Sequence, residues 1–422
     1  MRVLMTYYSE RTHLFCMVPL AQALIAAGHE VRVASQPSQA EFIMDTGLPA
    51  VAVGKDHVVW RLVQAREDVF ANLRTMGCPP FDRTDEPMEN ITWDDLAEGY
   101  SSIVPWWWRL VNDPMIPDLV EFCRCWQPDL VIWEPGTYAG AVAARVTGVA
   151  GVRALWGSDM FGYMRQLFVR LRDAQPEGSR TDPLADWLGR WARKYGATFD
   201  EEMTCGRVTL DQLPESVRLP TGLPIRSMRY APYNGRSVVP RWLWEPAERR
   251  RVCLTLGTSS SERMGGYSAP VEDILGSLAE LDVEVVATVP ERERAGLGTL
   301  PPNVRLVEFA PLHALAATCE VVIHHGGWGS ASTSGINGVP QLVLAQQFDA
   351  PPLARRLAAR GGALQMHESQ ATGANVCEHV VRLLEEPAFA REAAGLRDEM
   401  LAMPSPSEIV PELERLAAER RS

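Results

Sequence analysis

What most limits the fold of this 422-residue chain is an alternation of short apolar runs with helix-like stretches, which occurs twice. In the first half, strand-like runs stand at residues 2–7, 31–34, 50–53, 130–133 and 152–156, with a helical stretch at 137–147. In the second half, runs at 252–256, 283–288, 304–307, 321–324 and 341–344 are separated by helical patterns at 270–279, 330–337, 350–360 and 373–384. Strands that alternate with helices in this way build parallel sheets covered on both faces. The chain is also too long for a single hydrophobic core. The expected fold class is therefore α/β, with two facing, doubly wound, Rossmann-like domains. Residues 1–217 form the first domain and 251–404 the second, and the terminal helix 405–422 is expected to pack back on the first. Between them lies a linker, 218–250, marked by Pro220, Pro224, Pro232, Pro240 and Pro246 with Gly222 and Gly235. Residues 56–127, rich in Trp and Pro, interrupt the first alternation and read as an insertion on the ligand side of the sheet.

Composition removes several function classes. A formal net charge of −12 is the wrong sign for a nucleic-acid surface. The eight cysteines are scattered; Cys123 and Cys125 are two apart, which is not a CxxC redox or zinc spacing. They read as small buried hydrophobes, which suits a reducing compartment. Residues 14–27 are largely apolar, but they contain Pro19 and sit between two strand-like runs, as in a βαβ unit and unlike an export signal. No run reaches the ~18 apolar residues that span a bilayer. A cytoplasmic location is expected.

The segment His324-His325-Gly326-Gly327-Trp328-Gly329-Ser330 follows a strand-like run and opens a helix. Glycines there allow close backbone approach, and the free amides and dipole of a helix start attract an anion such as a diphosphate. His325 adds a side-chain donor and Ser330 a hydroxyl. A glycine-rich turn beside a core histidine has the same pattern, so the segment alone leaves both readings open.

The wider context resembles the donor box of nucleotide-sugar glycosyltransferases of the GT-B fold, family 1. The resemblance runs from Phe309-Ala310-Pro311-Leu312 through His324–Ser330 and Gly338-Val339-Pro340 to Phe348-Asp349. Within that family the chain resembles the actinomycete antibiotic branch, which includes erythromycin desosaminyltransferase and daunosaminyltransferases of anthracycline biosynthesis. The stretches that carry this include Pro128–Pro135, Leu155-Trp156-Gly157, Met228-Arg229-Tyr230, Tyr233-Asn234-Gly235 and Arg250–Gly257.

The resemblance implies a nucleotide sugar as donor substrate, and no other cofactor is expected. It implies His325 on the diphosphate, with help from the backbone around Gly327, Trp328, Gly329 and Ser330 and from Gly257, Thr258 and Ser259. It puts Phe309 and Leu312 at the base and Asp349 on sugar hydroxyls. Ala350 stands where relatives using fully hydroxylated donors often have Gln, and Leu312 where many have Gln near the ribose; both losses fit a deoxysugar and a 2′-deoxyribose, and so a dTDP-deoxysugar donor.

On the acceptor side the first loop, 8–13, has no glycine, so the GxGxxG fingerprint of an NAD-dependent oxidoreductase is missing. A hydroxyl acceptor must lose a proton as it attacks, and a neutral histidine suits that task. The resemblance puts His13 at the catalytic-base position; a helix-capping histidine is the plainer alternative. Glu134, at the carboxyl end of the 130–133 strand, is the candidate to orient it. No second carboxylate nucleophile and no DxD-like pair is apparent, which implies inversion without a metal. Trp106, Trp107 and Trp108 suit an aglycone pocket, a partner surface or a helix packed on the core. Three adjacent tryptophans on a regular helix face three ways. With Trp60 and Trp93 they are expected on a partly exposed apolar surface that an auxiliary cytochrome-P450-like protein covers, as the resemblance implies. A homodimer is left open. The competing readings are a nucleotide-sugar 2-epimerase of the same architecture and a nucleotide-sugar-binding protein without catalysis.

Overall fold

Short strands apolar on both faces assemble into two parallel sheets in the computed structural model, which describes residues 1–66, 68, 77–257, 263, 266–294 and 296–419. The first contains β1 (Arg2–Thr6), β2 (Glu30–Ser35), β3 (Ala50–Ala52), β4 (Leu130–Trp133), β5 (Ala150–Ala154), β6 (Val208–Asp211) and β7 (Ile225–Ser227), in the order β3-β2-β1-β4-β5-β6-β7. The second contains β8 (Arg251–Thr255), β9 (Glu284–Thr288), β10 (Val304–Val307), β11 (Val321–His324), β12 (Gln341–Ala345) and β13 (Ala363–His367), in the order β10-β9-β8-β11-β12-β13. All neighbours in both sheets run parallel. The central strands β4 and β11 are buried at every position, as helices on both faces require.

In each sheet the order reverses at one place, between β1 and β4 and between β8 and β11. The crevice outside the carboxyl ends of such a pair is where open α/β sheets hold ligands. Register sets which residues meet there. Thr6 pairs with Trp133, so the loops after β1 and β4 leave the sheet at the same level. Thr255 pairs with His324, which does the same for the loops after β8 and β11.

Three differences from the sequence pattern matter. β5 ends at Ala154, two residues before the apolar run does; its last pair with β4 is Arg153 with Trp133 and its last with β6 is Ala154 with Leu210. Trp156 is thereby released into the crevice. β6, β7 and β13 are short strands that no long apolar run announces. β7 lies inside the proline-rich stretch 218–250 and pairs with β6, so part of that stretch belongs to the first sheet.

The helix Pro406–Glu419 crosses back from the second domain and seals the first. Ile409, Val410, Leu413, Leu416 and Ala417 enter the core formed by β1, β2, β4 and the helix Arg11–Ala26. An ion pair from Arg207 to Glu419 (2.8 Å) and a contact between His29 Nε2 and Glu414 Oε1 (3.1 Å) flank this apolar seam. Among the described residues no helix is long and apolar enough to cross a membrane. Leu413 is fully buried at the centre of the seam. Leu413→Ala is expected to cost about 2–5 kcal/mol through lost burial and a residual cavity. Chemical denaturation checks this, and an unchanged midpoint would show that the helix adds nothing to the first core.

Candidate functional site

The acceptor side is built on the loop after β1. The helix Arg11–Ala26 starts without a side-chain cap, and its third residue, His13, is only 7% exposed. His13 Nδ1 lies 3.4 Å from Oε2 of Glu134, within ion-pair range though long for a hydrogen bond. Its ring stacks on Trp156 at a centroid distance of 4.1 Å and an interplanar angle of 15°. Tyr8 meets it edge-on at 5.2 Å.

Glu134 has no solvent exposure, and a buried carboxylate needs donors. It has them: the Gly136 amide donates to Oε2 at 2.8 Å, the Trp156 indole N–H to Oε2 at 2.7 Å, and the Thr137 hydroxyl to Oε1. Burial pushes the Glu134 pKa up, but His13 and these donors outweigh it and hold the group below the usual carboxylate range. Gly136 is required to be a glycine, since a Cβ there would come within 2.5 Å of the Tyr8 ring.

The donor side is the mirror construction in the second domain. The chain turns at Gly326 (φ +89°) and enters the helix Trp328–Ile336 through Gly327, with no side-chain cap on the helix start. His324 is fully buried and locked in place: Nε2 is 2.9 Å from Gln341 Oε1, and Nδ1 accepts from the Gly326 amide at 3.0 Å. The next residue, His325, lies between two glycines. A Cβ on Gly327 would stand 2.4 Å from its Nε2, and one on Gly257 would stand 2.5 Å from its Cε1. Burial in this slot lowers the His325 pKa to about 4, so the imidazole is neutral at physiological pH.

The two halves face a single cavity of about 450 Å³. His13, Gly257, Phe309, Leu312, His325, Gly327, Trp328, Gly329, Ser330, Asp349, Trp107 and Trp108 all line it. Glu134 does not; it sits behind His13. Thr258 and Ser259 lie outside the described residues. Phe309 is 54% exposed at the rim. Asp349 reaches across the interface: its Oδ2 accepts from the Ser158 amide at 3.3 Å, and a Cβ on Gly157 would come within 2.2 Å of it. Burial raises its pKa to about 6.

Two of the tryptophans, Trp107 and Trp108, differ from the sequence expectation of a partly exposed surface. Residues Val104–Trp108 form a π-helical turn, which changes the angular spacing of consecutive side chains. Trp107 and Trp108 are both buried and share one core cluster with Phe81, Ile103 and Phe161. Trp106 is half-buried, packs edge-on against Trp107 and does not line the cavity. Trp60 and Trp93 are also half-buried, packed against Trp107 and Phe168 respectively. Among these five residues Trp107 and Trp108 are covered, while Trp60, Trp93 and Trp106 keep part of their surface exposed. They are the wall of the cavity and its backing.

Several site residues were not anticipated. Trp156 is one, because its apolar run reads as strand to its end. Thr137 and Gly136 are two more; their role follows only from the turn after β4. Tyr230 holds the donor helix by packing edge-on against Trp328 at 4.9 Å, with its hydroxyl 2.9 Å from Thr333 Oγ1. At the acceptor rim the buried Glu10 accepts from the Trp60 indole N–H at 2.5 Å and pairs across the interface with Arg263 at 3.4 Å.

Comparison with known proteins gives consistent similarities. Residues 22–257 match the family model of the erythromycin biosynthesis protein CIII-like N-terminal domain, and residues 272–416 that of the corresponding C-terminal domain. The 10-deoxymethynolide desosaminyltransferase of Streptomyces venezuelae is 48% identical, over 100% of this chain and 98% of the relative. The 3-alpha-mycarosylerythronolide B desosaminyl transferase of Saccharopolyspora erythraea is 43% identical, over 100% of this chain and 99% of the relative. Among solved structures, the glycosyltransferase VinC in complex with dTDP superposes with a TM-score of 0.88 at 38% identity, covering 99% of this chain and 100% of that one.

The depressed pKa of His325 gives a test that needs only dTDP. An anion bound at the ring raises that pKa from about 4, so at pH 6 the complex holds protons that the free protein does not. Calorimetry in buffers of different ionisation enthalpy should show proton uptake in the wild type and a clear loss of uptake in His325→Ala. Equal uptake in both would place the anion elsewhere.

Proposed function

The chain belongs to the erythromycin biosynthesis protein CIII-like family of antibiotic glycosyltransferases, and from that premise we propose that it moves a deoxysugar from dTDP to a lipophilic aglycone with inversion, using His13 as general base. Membership decides against the 2-epimerase and the non-catalytic binding protein as readings of the same fold. The observation that carries the proposal is the meeting of two half-sites in one cavity: a histidine backed by a buried carboxylate, and a glycine cradle at a helix start. dTDP as the donor nucleotide is supported by the likeness to VinC, which was solved with dTDP.

The chemistry runs as a single displacement. The aglycone hydroxyl sits on the His13 side, against the apolar wall of Phe81, Ile103, Trp107, Trp108, Met160 and Phe161. Its proton passes to His13 as its oxygen attacks the anomeric carbon, and Glu134 stabilises the imidazolium that results. The diphosphate departs from the opposite face. Its charge is met by the amides and dipole of the helix Trp328–Ile336 and by His325, and fixed dipoles aimed at developing charge are the larger part of such catalysis. Asp349 takes the sugar hydroxyls. Its Oδ2 accepts from the Ser158 amide, so sugar binding exchanges one hydrogen bond for another. No metal ion is invoked.

Two measurements test this reading. His13→Ala should lower turnover by more than about 10²-fold while dTDP affinity stays near the wild type, since the base is remote from the nucleotide. A comparable loss of dTDP affinity would make His13 structural. Turnover should also survive EDTA; an activity abolished by chelation and restored only by a divalent ion contradicts the proposal. Mass spectrometry of products from a panel of polyketide aglycones with one dTDP-deoxysugar identifies the acceptor.

A further inference from the structure

We propose that Trp156 is a positioning residue for this reaction, one that holds His13 and Glu134 in a single arrangement; the proposal rests on His13 being the base. Three observations carry it. β5 stops at Ala154, so the Trp156 side chain belongs to the loop beyond the sheet and lines the cavity. Its ring lies flat on the imidazole of His13 at 4.1 Å. Its indole N–H donates to Glu134 Oε2 at 2.7 Å, and that same oxygen is 3.4 Å from His13 Nδ1. One side chain therefore touches both members of the pair through two different contacts.

Each contact does separate work. An imidazole that faces a cavity can turn about its Cβ–Cγ bond and offer the wrong edge to the substrate. The stacked indole on one face and the edge of Tyr8 beside it fix the plane of the ring. The indole N–H, with the Gly136 amide, fixes the oxygen that faces Nδ1. His13 then carries its proton on Nδ1, toward the carboxylate, and keeps the lone pair of Nε2 for the acceptor. When the acceptor O–H bond breaks and the Nε2–H bond forms, the imidazolium lies over the indole face. Attraction between a cation and an aromatic face exists only for the charged form. The stack thus favours the state reached by proton transfer over the state before it.

Histidine 15N NMR on the labelled protein at pH 8 tests this without substrate. His13 of the wild type should show the Nδ1–H tautomer alone; an Nε2–H tautomer overturns the proposal. Trp156→Leu removes both contacts and should give mixed tautomers. With the donor and aglycone identified by the product panel, its kcat should fall at least about tenfold, from the loss of a cation–π contact and a charge-assisted hydrogen bond, with little change in KM. Trp156→Phe keeps a stacked ring and should retain the Nδ1–H tautomer and more of kcat than the Leu variant. Calorimetry with dTDP confirms that each variant is folded, and should Trp156→Leu not fold, the wild-type tautomer and the Phe variant decide the matter. A rise in KM alone would make Trp156 merely a wall of the acceptor pocket and overturn the proposal, as would a wild-type tautomer in the Leu variant. If His13→Ala keeps full turnover, the general-base reading fails instead, whatever the tautomer shows.

Discussion

Parallel pairing at two points, β1 beside β4 and β8 beside β11, governs everything this protein does at its cavity. A parallel ladder delivers the loops of neighbouring strands to the same end of the sheet. With Thr6 opposite Trp133, the helix that carries His13 starts beside the turn that carries Glu134. With Thr255 opposite His324, Gly257 arrives against the ring of His325. A slip of one residue in either pair would move each side chain to the other face of its sheet and dissolve both half-sites.

The polar groups at the two half-sites are few, buried and matched. Glu134 is kept ionised by donors from its own turn and from Trp156. His325 is kept neutral by a slot too narrow for any Cβ beside it. In the proposed reaction the first would stabilise a positive charge on an imidazole, and the second would receive a negative charge on a leaving group.

Contacts between the domains join these halves. Asp349 of the second domain accepts from the Ser158 amide of the first, Tyr230 packs on Trp328, and Glu10 pairs with Arg263. The apolar remainder of the cavity comes from the inserted segment, whose π-helical turn directs Trp107 and Trp108 into one cluster. A regular helix would have spread them over different faces.

Local pattern was enough for much of this. Alternating apolar runs specify a doubly wound parallel fold because each run needs both faces covered. The glycines around His325 and the histidine after β1 mark the ends of strands where such folds bind ligands, and the motifs from Phe309 to Asp349 carry the family resemblance. Other features depend on contacts between residues far apart in the chain. Trp156 reads as strand, but the pairing of β5 with its neighbours ends at Ala154, two residues early. The burial of Trp107 and Trp108 follows from a π-turn that no periodicity announces. Asp349 meets Ser158 only because two domains close on each other. The amino-acid sequence by itself determined the architecture and the chemical kinds of group at each strand end, since both follow from near neighbours. The tertiary structure alone decided which of those groups touch, because strand length and domain contact are settled by partners from distant parts of the chain.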